Sequence, residues 1–221
     1  MGSTTYFKTE GGFGNRLLNY IDAKKKGYNP FLNYKALYLL TGSRVIPEAI
    51  NFSEKLELSE TLIDLSSKEL QSILPLPESS NTGTVIHFRG RDFAQWKPHS
   101  IINATWYIEL IKQFEIQDFT FVTDDLNHKT SKEIINYAQK ERIGIRIFNS
   151  EYFISDWWII FNSKLLICGP STFSLTAGVL GQSNIILNRR YAQLESKSIF
   201  WQHLLTQPIK ESDALSKVQL F

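Results

Sequence analysis

The chain of 221 residues is 43% hydrophobic and 21% charged, the make-up of one large or two small soluble globular domains. A net charge of +2 excludes a bulk basic field for nucleic acid, so any positive site must be local. The single cysteine, Cys168, excludes an internal disulfide and favours a reducing compartment.

No run approaches the ~18 apolar residues of a membrane-spanning helix. Met1-Gly2-Ser3 has no basic stretch and no hydrophobic signal region, and reads as a cloning remnant. Tyr6 breaks the myristoylation pattern. These features predict a cytoplasmic protein with no integral membrane segment, and leave peripheral attachment to a membrane open.

In chain order, Thr5 to Lys8 is a short strand candidate, followed by the glycine-rich run Glu10-Gly11-Gly12-Phe13-Gly14-Asn15. Leu17, Leu18 and Ile21 recur at helical spacing, and the Lys24-Lys25-Lys26-Gly27 run is a helix stop. Phe31 to Tyr34 is a second strand candidate, and residues 36–74 are helix and loop with a weak pattern. Pro75 to Gly83, with two prolines and then small polar residues, is the clearest linker. It divides the chain into a small N-terminal α/β domain, 1–80, and a second domain, 81–221.

The second domain alternates regularly. Strands are predicted over Thr84–Phe88, Phe119–Thr123, Ile145–Phe148, Leu165–Cys168 and Asn184–Leu187. Helices are predicted over Ala104–Phe114, Lys129–Lys140, Tyr152–Asn162 and Phe173–Leu180. Short apolar strands alternating with helices predict a parallel sheet covered on both faces, a Rossmann-like domain. The tail, 188–221, holds Trp201, Leu204 and Leu205 and is expected to pack back as a helix.

Four segments carry candidate chemistry. In Gly11-Gly12-Phe13-Gly14-Asn15-Arg16, a glycine-rich turn into a helix can set N–H groups against an anion. It lacks the third glycine of a dinucleotide fingerprint and the Gly-Lys-Ser/Thr of a P-loop. A tight turn without a ligand is its bland reading. In His87-Phe88-Arg89-Gly90-Arg91-Asp92, a strand opens into arginines and a glycine, which suits a phosphate. Strand alternation sends His87 and Arg89 to one side and Phe88 to the other. His87 reads equally as a core histidine; Asp92 is either a base or a holder of Arg89 or Arg91.

Third, the strand Phe119–Thr123 ends in Asp124 and Asp125. These carboxylates can cap the next helix, hold a hard cation, or accept hydrogen bonds from a guanine edge. Fourth, Gly169-Pro170-Ser171-Thr172-Phe173-Ser174 opens a helix after a strand, with Ser171 or Thr172 as N-cap and a second anion cradle as the functional reading. Trp157 and Trp158 read as core, and Cys168 as an inert buried thiol. His99, His128 and His203 stand at no metal-ligand spacing.

Taken together, the four segments resemble inverting fucosyltransferases of the GT-B type, most closely the α-1,2-fucosyltransferase family. That family carries Gly-Gly-Leu-Gly-Asn-Gln, then His-x-Arg-Arg-Gly-Asp-Tyr, a strand ending Ser-Asp-Asp, and Asn-Ser-Thr-Phe-Ser, in that order. The resemblance covers residues 11 to 174 and implies two Rossmann-like domains, the N-terminal one reduced. It implies a GDP-fucose donor, inversion without a metal or other cofactor, and an oligosaccharide or glycoconjugate acceptor. It implies that Arg89 binds the donor β-phosphate and supports the leaving group. His87 and one of Asp124 and Asp125 would lie around the guanosine. Ser171, Thr172, Phe173 and Ser174 would cradle the diphosphate, and Gly12, Gly14 and Asn15 would face the donor across the cleft. Arg91 stands where the family has glycine, and Gly90 where it has its second arginine. Asp92 is the nearest candidate for the base. Two alternatives stand beside this reading: an inactive relative that binds a nucleotide or glycan, and a transferase using another nucleotide-sugar.

Overall fold

A computed structural model describes residues 13–15, 17, 82–91, 93–96, 98, 101–149, 153–169, 171–181, 183–188 and 218–221. The strand candidates at 5–8 and 31–34, most of the predicted domain 1–80, Gly12, Asp92, Trp201, Leu204 and Leu205 lie outside these residues.

Six strands form one parallel sheet: β1 (Thr82–Phe88), β2 (Asp118–Thr123), β3 (Gly144–Phe148), β4 (Ser163–Cys168), β5 (Asn184–Leu187) and β6 (Val218–Leu220). Their spatial order is β3-β2-β1-β4-β5-β6. The chain runs outward from β1 to β3, returns to β4 on the other side of β1, and continues outward to β5. This is the doubly wound order, with its switch point between β1 and β4. The helices are α1 (Phe93–Trp96), α2 (Ala104–Gln113), α3 (Lys129–Lys140), α4 (Phe153–Phe161) and α5 (Thr172–Leu180).

The two faces follow from strand alternation. Ile86, Phe88, Phe119, Phe121, Ile167 and Ile186 point to one face, where Tyr107, Leu110 and Ile111 of α2 and Ile134 and Ala138 of α3 close the core. Residues of the opposite parity, such as Leu166 and Ile185, face α5, whose Gly178 lies against both. The inner strands are apolar on both faces, as a sheet covered on both sides requires.

Local chemistry sets the helix ends. Asn103 Oδ1 accepts the N–H of Trp106 at 3.3 Å to start α2, and His128 Nδ1 accepts that of Thr130 at 3.1 Å to start α3. Both helices end in Schellman turns without glycine. Ile116 N–H reaches Ile111 C=O at 3.0 Å and Ile143 N–H reaches Ala138 C=O at 2.8 Å. The residue that swings left-handed is Glu115 (φ 48°) in one and Arg142 (φ 59°) in the other. A side chain there costs about 1 kcal/mol, which the buried Ile116 contact and the turn hydrogen bonds offset.

The strands and helices predicted for the second domain are present, most with ends shifted by one or two residues. β1 begins at Thr82, inside the expected linker, because Thr82 pairs with Ser163 and its hydroxyl donates to Ile159 C=O at 2.8 Å. α1 was not expected. The end of the tail corrects the helix expectation: Val218–Leu220 adds to the sheet edge as β6 beside β5. Three residues carry too little pattern to announce a strand; pairing with Ile185, Ile186 and Leu187 makes it one.

Phe13, Gly14, Asn15 and Leu17 are helical, and the segment docks on α4 and α5. Phe13 is buried against Phe153, Trp157 and Phe173, with ring centroids 5.3, 5.6 and 6.3 Å away. Gly14 lies directly on the Thr172–Phe173 peptide, where a Cβ would overlap backbone atoms. Backbone cannot yield as a side-chain tip can. Gly14→Ala is therefore expected to cost ~1–3 kcal/mol, the usual range for overpacking. Gly83→Ala, with nothing within 4 Å of the added carbon, should stay within about 0.5 kcal/mol of wild type. Urea denaturation of both variants measures the contrast.

Candidate functional site

The carboxyl ends of β1, β2 and β4 meet at the switch point, where ligands of doubly wound sheets bind. Parallel register sets His87 beside Val122 on one flank and Cys168 on the other, and Phe88 beside Thr123. The loops that follow therefore emerge together.

Arg89 leaves the end of β1 and its Nη1 donates to Ser171 Oγ at 3.3 Å. Its guanidinium carbon lies 4.7 Å from the Phe93 ring centroid, a cation–π contact. Gly90 is pinned on both sides: its N–H donates to Asp124 Oδ1 at 2.7 Å, and its C=O accepts the Ala94 N–H at 2.8 Å. A side chain at Gly90 would meet the Phe88 ring at 2.7 Å and Asp125 Cβ at 3.3 Å. Arg91 is exposed and joins the cluster through its backbone N–H, 3.3 Å from Asp124 Oδ1.

The two carboxylates at the end of β2 divide their work. Asp124 reaches sideways to the loop after β1. Asp125 turns the chain into α3, with Oδ1 accepting the N–H groups of Asn127 and His128 at 3.0 and 3.1 Å. Its own C=O accepts the Ser131 hydroxyl at 2.6 Å. The side-chain cap of α3 is His128, not an aspartate.

Ser171 is the N-cap residue of α5, yet its side chain makes no cap hydrogen bond; its hydroxyl instead accepts from Arg89. The first turn of a nine-residue helix thus keeps its positive end without a side-chain cap, beside a guanidinium. Thr172 and Phe173 are half-buried at this turn. Ser174 faces inward, and its Oγ donates to Ser171 C=O at 3.2 Å. Asn15 is exposed, while Gly14 brings the N-terminal segment onto the same turn.

His87 and Phe88 follow the alternation. His87 faces α5, with its ring centroid 5.8 Å from that of Phe173. Phe88 faces the other side, against Tyr107 and His128. His87 is 5% exposed, and among the described residues its Nδ1 has no hydrogen-bond partner. Burial, and the Arg89 guanidinium second, push its pKa down to about 3, so the imidazole is neutral. Tyr107, beneath the loops, donates its hydroxyl to His87 C=O at 3.4 Å. Burial, then the neighbouring Cys168, push that phenol well above its usual range, opposed by a hydrogen bond with the Gly169 backbone. Burial lifts the Cys168 thiol to about 12, with a Ser174 hydrogen bond opposing, which leaves it protonated and inert.

Sequence reasoning placed Arg89, Ser171, His87 and Asp124 in one region, and the structure brings them together. It did not find Phe93, Tyr107 or His128 as supports. An aromatic four residues after Arg89 was the available signal for Phe93. Among the described residues there is no group of three or more His, Cys, Asp or Glu placed to hold a metal, and no helix long and apolar enough to cross a membrane. Compared with known proteins, the chain matches no protein-family model and has no significant match among curated proteins.

The His87 environment has a pH signature. The unfolded chain takes up a proton near 6.5, which the folded chain refuses until about 3. The stability that the neutral His87 contributes should be lost as pH drops below about 6.5, and the loss should be complete near 3. His87→Gln cannot titrate and should lessen the slope between about pH 7 and pH 5 by about 1 kcal/mol per pH unit. Urea denaturation of both proteins at about pH 7 and about pH 5 reads the difference; equal slopes would mean an ordinary, solvated histidine.

Proposed function

We propose that this chain is a metal-independent glycosyltransferase of GT-B type, moving L-fucose from GDP-fucose to a glycan hydroxyl with inversion. The observation that carries the reading is the 3.3 Å contact of Arg89 Nη1 with Ser171 Oγ at the switch point, beside the first turn of α5. A diphosphate leaving group accumulates negative charge as the glycosyl bond breaks. A fixed guanidinium and the positive end of a helix stabilise that charge where it develops, the part a divalent cation plays elsewhere. The order of the four motifs, including Gly14 resting against the Thr172–Phe173 peptide, supports the same reading. In it, Arg89 holds the β-phosphate, Ser171 and Thr172 complete the cradle, and Asp92 is the candidate base. The neutral His87 borders the nucleoside.

A second reading is a relative that binds the nucleotide without transfer. It is favoured by Gly90, where the resembled family has a second arginine and where this chain has no room for one without moving the Phe88 ring.

The test is release of GDP and fucose from GDP-fucose, with and without glycan acceptors, in EDTA. Wild type should turn over slowly without acceptor. Arg89→Ala should lower the rate by about 100-fold or more while remaining folded. Undiminished turnover in that variant would remove Arg89 from the site. GDP binding with no turnover under any condition would leave the second reading.

A further inference from the structure

We propose that Asp124 is a positioning residue: it locks the loop after β1, so that the Arg89 guanidinium is aimed at the seat beside Ser171 and the first turn of α5. The inference rests on the proposed function for its ligand readout.

Asp124 stands one residue past Thr123, which is paired with Phe88 at the last rung of β1 and β2. From there its Oδ1 takes two consecutive N–H groups of the neighbouring loop, Gly90 at 2.7 Å and Arg91 at 3.3 Å. Arg89 is the residue immediately before this clamp. Its backbone is held by β1 on one side and by Asp124 on the other. Its side chain then rests against the Phe93 ring and the Ser171 hydroxyl. Phe93 lies on α1, whose first turn is tied to the same loop by the Ala94 N–H to Gly90 C=O bond. Releasing Gly90 would therefore loosen the backbone that aims the guanidinium and the ring against it.

The clamp also decides where an anion can lie. The turn after the first strand of a doubly wound sheet is the usual phosphate seat, because its N–H groups point at the ligand. Here the protein's own carboxylate occupies the Gly90 and Arg91 N–H groups. A phosphate on that turn would meet a negative charge. The terminal phosphate of a nucleoside diphosphate is left the β4–α5 turn, where Arg89 and Ser171 meet.

Asp124→Ala removes the acceptor, while Asp124→Asn keeps one acceptor oxygen and replaces the charge and the other oxygen by an amide NH2. In ¹⁵N NMR spectra of the free protein, Asp124→Ala should shift and broaden the Gly90 and Arg91 amides. It should also shift and broaden the Arg89 Nε–H signal, with circular dichroism unchanged. Asp124→Asn should restore all three signals. GDP affinity should weaken by about tenfold or more in Asp124→Ala, the loss expected for a charge-assisted contact put out of place, and recover in Asp124→Asn. Tighter GDP binding by both variants would mean that Asp124 acts as a repelling charge, and would overturn the proposal. So would an Arg89 Nε–H signal that is unchanged in Asp124→Ala. If wild type binds no GDP, the nucleotide reading fails, and the Arg89 signal still decides the positioning role.

Discussion

Parallel pairing of β1 with β4 is the constraint on which the candidate site depends. Arg89 and Ser171 are 82 residues apart in sequence, and they touch because their strands end side by side. The pairing is possible because the chain winds outward over one face through α2 and α3, then returns to start again beside β1. A crevice between diverging loops follows from that return. The side chains that reach into it come from the residue just past β1 and from the N-cap of α5.

Rigid placement of a cation there needs support from all sides, since a long side chain loses much rotamer freedom when held. The support is distributed over the sheet's carboxyl edge. Asp124 from β2 holds the backbone, Phe93 from α1 lies against the guanidinium, and Ser171 from α5 receives its tip. Tyr107 ties the end of β1 from the opposite face through the His87 C=O, and the neutral His87 lies on the α5 side against Phe173. A protonated His87 would face both burial and the Arg89 charge, so the imidazole stays neutral and the positive charge stays on the arginine. The N-terminal segment closes the same turn from outside, with Phe13 in an aromatic cluster and Gly14 on the α5 backbone.

Much of the fold was legible because hydrophobic period and chain order report it directly. Lys129–Lys140 and Asn184–Leu187 are bounded in the structure as the pattern bounds them. Elements made by tertiary contact were not legible. β6 is three residues at the sheet edge, and α1 is a single turn stabilised by its loop. The start of β1 was hidden because Gly83 reads as a linker residue, although strand pairing on both sides of it overrides that tendency. In the site, Arg89 and Ser171 were visible as residue types suited to an anion. The division of work between Asp124 and Asp125 was not. Two adjacent carboxylates after a strand read the same whether they cap, ligate or clamp, and only the neighbouring strand's position decides.

On the function proposed above, the switch point between β1 and β4 seats the diphosphate of a guanine nucleotide without a metal. Calorimetric titration of the whole chain with GDP in EDTA, with UDP and CDP alongside, tests it most directly. The expected result is one-to-one GDP binding in EDTA, with much weaker binding of UDP and CDP. Absence of GDP binding, or binding that returns only with a divalent cation, would contradict it.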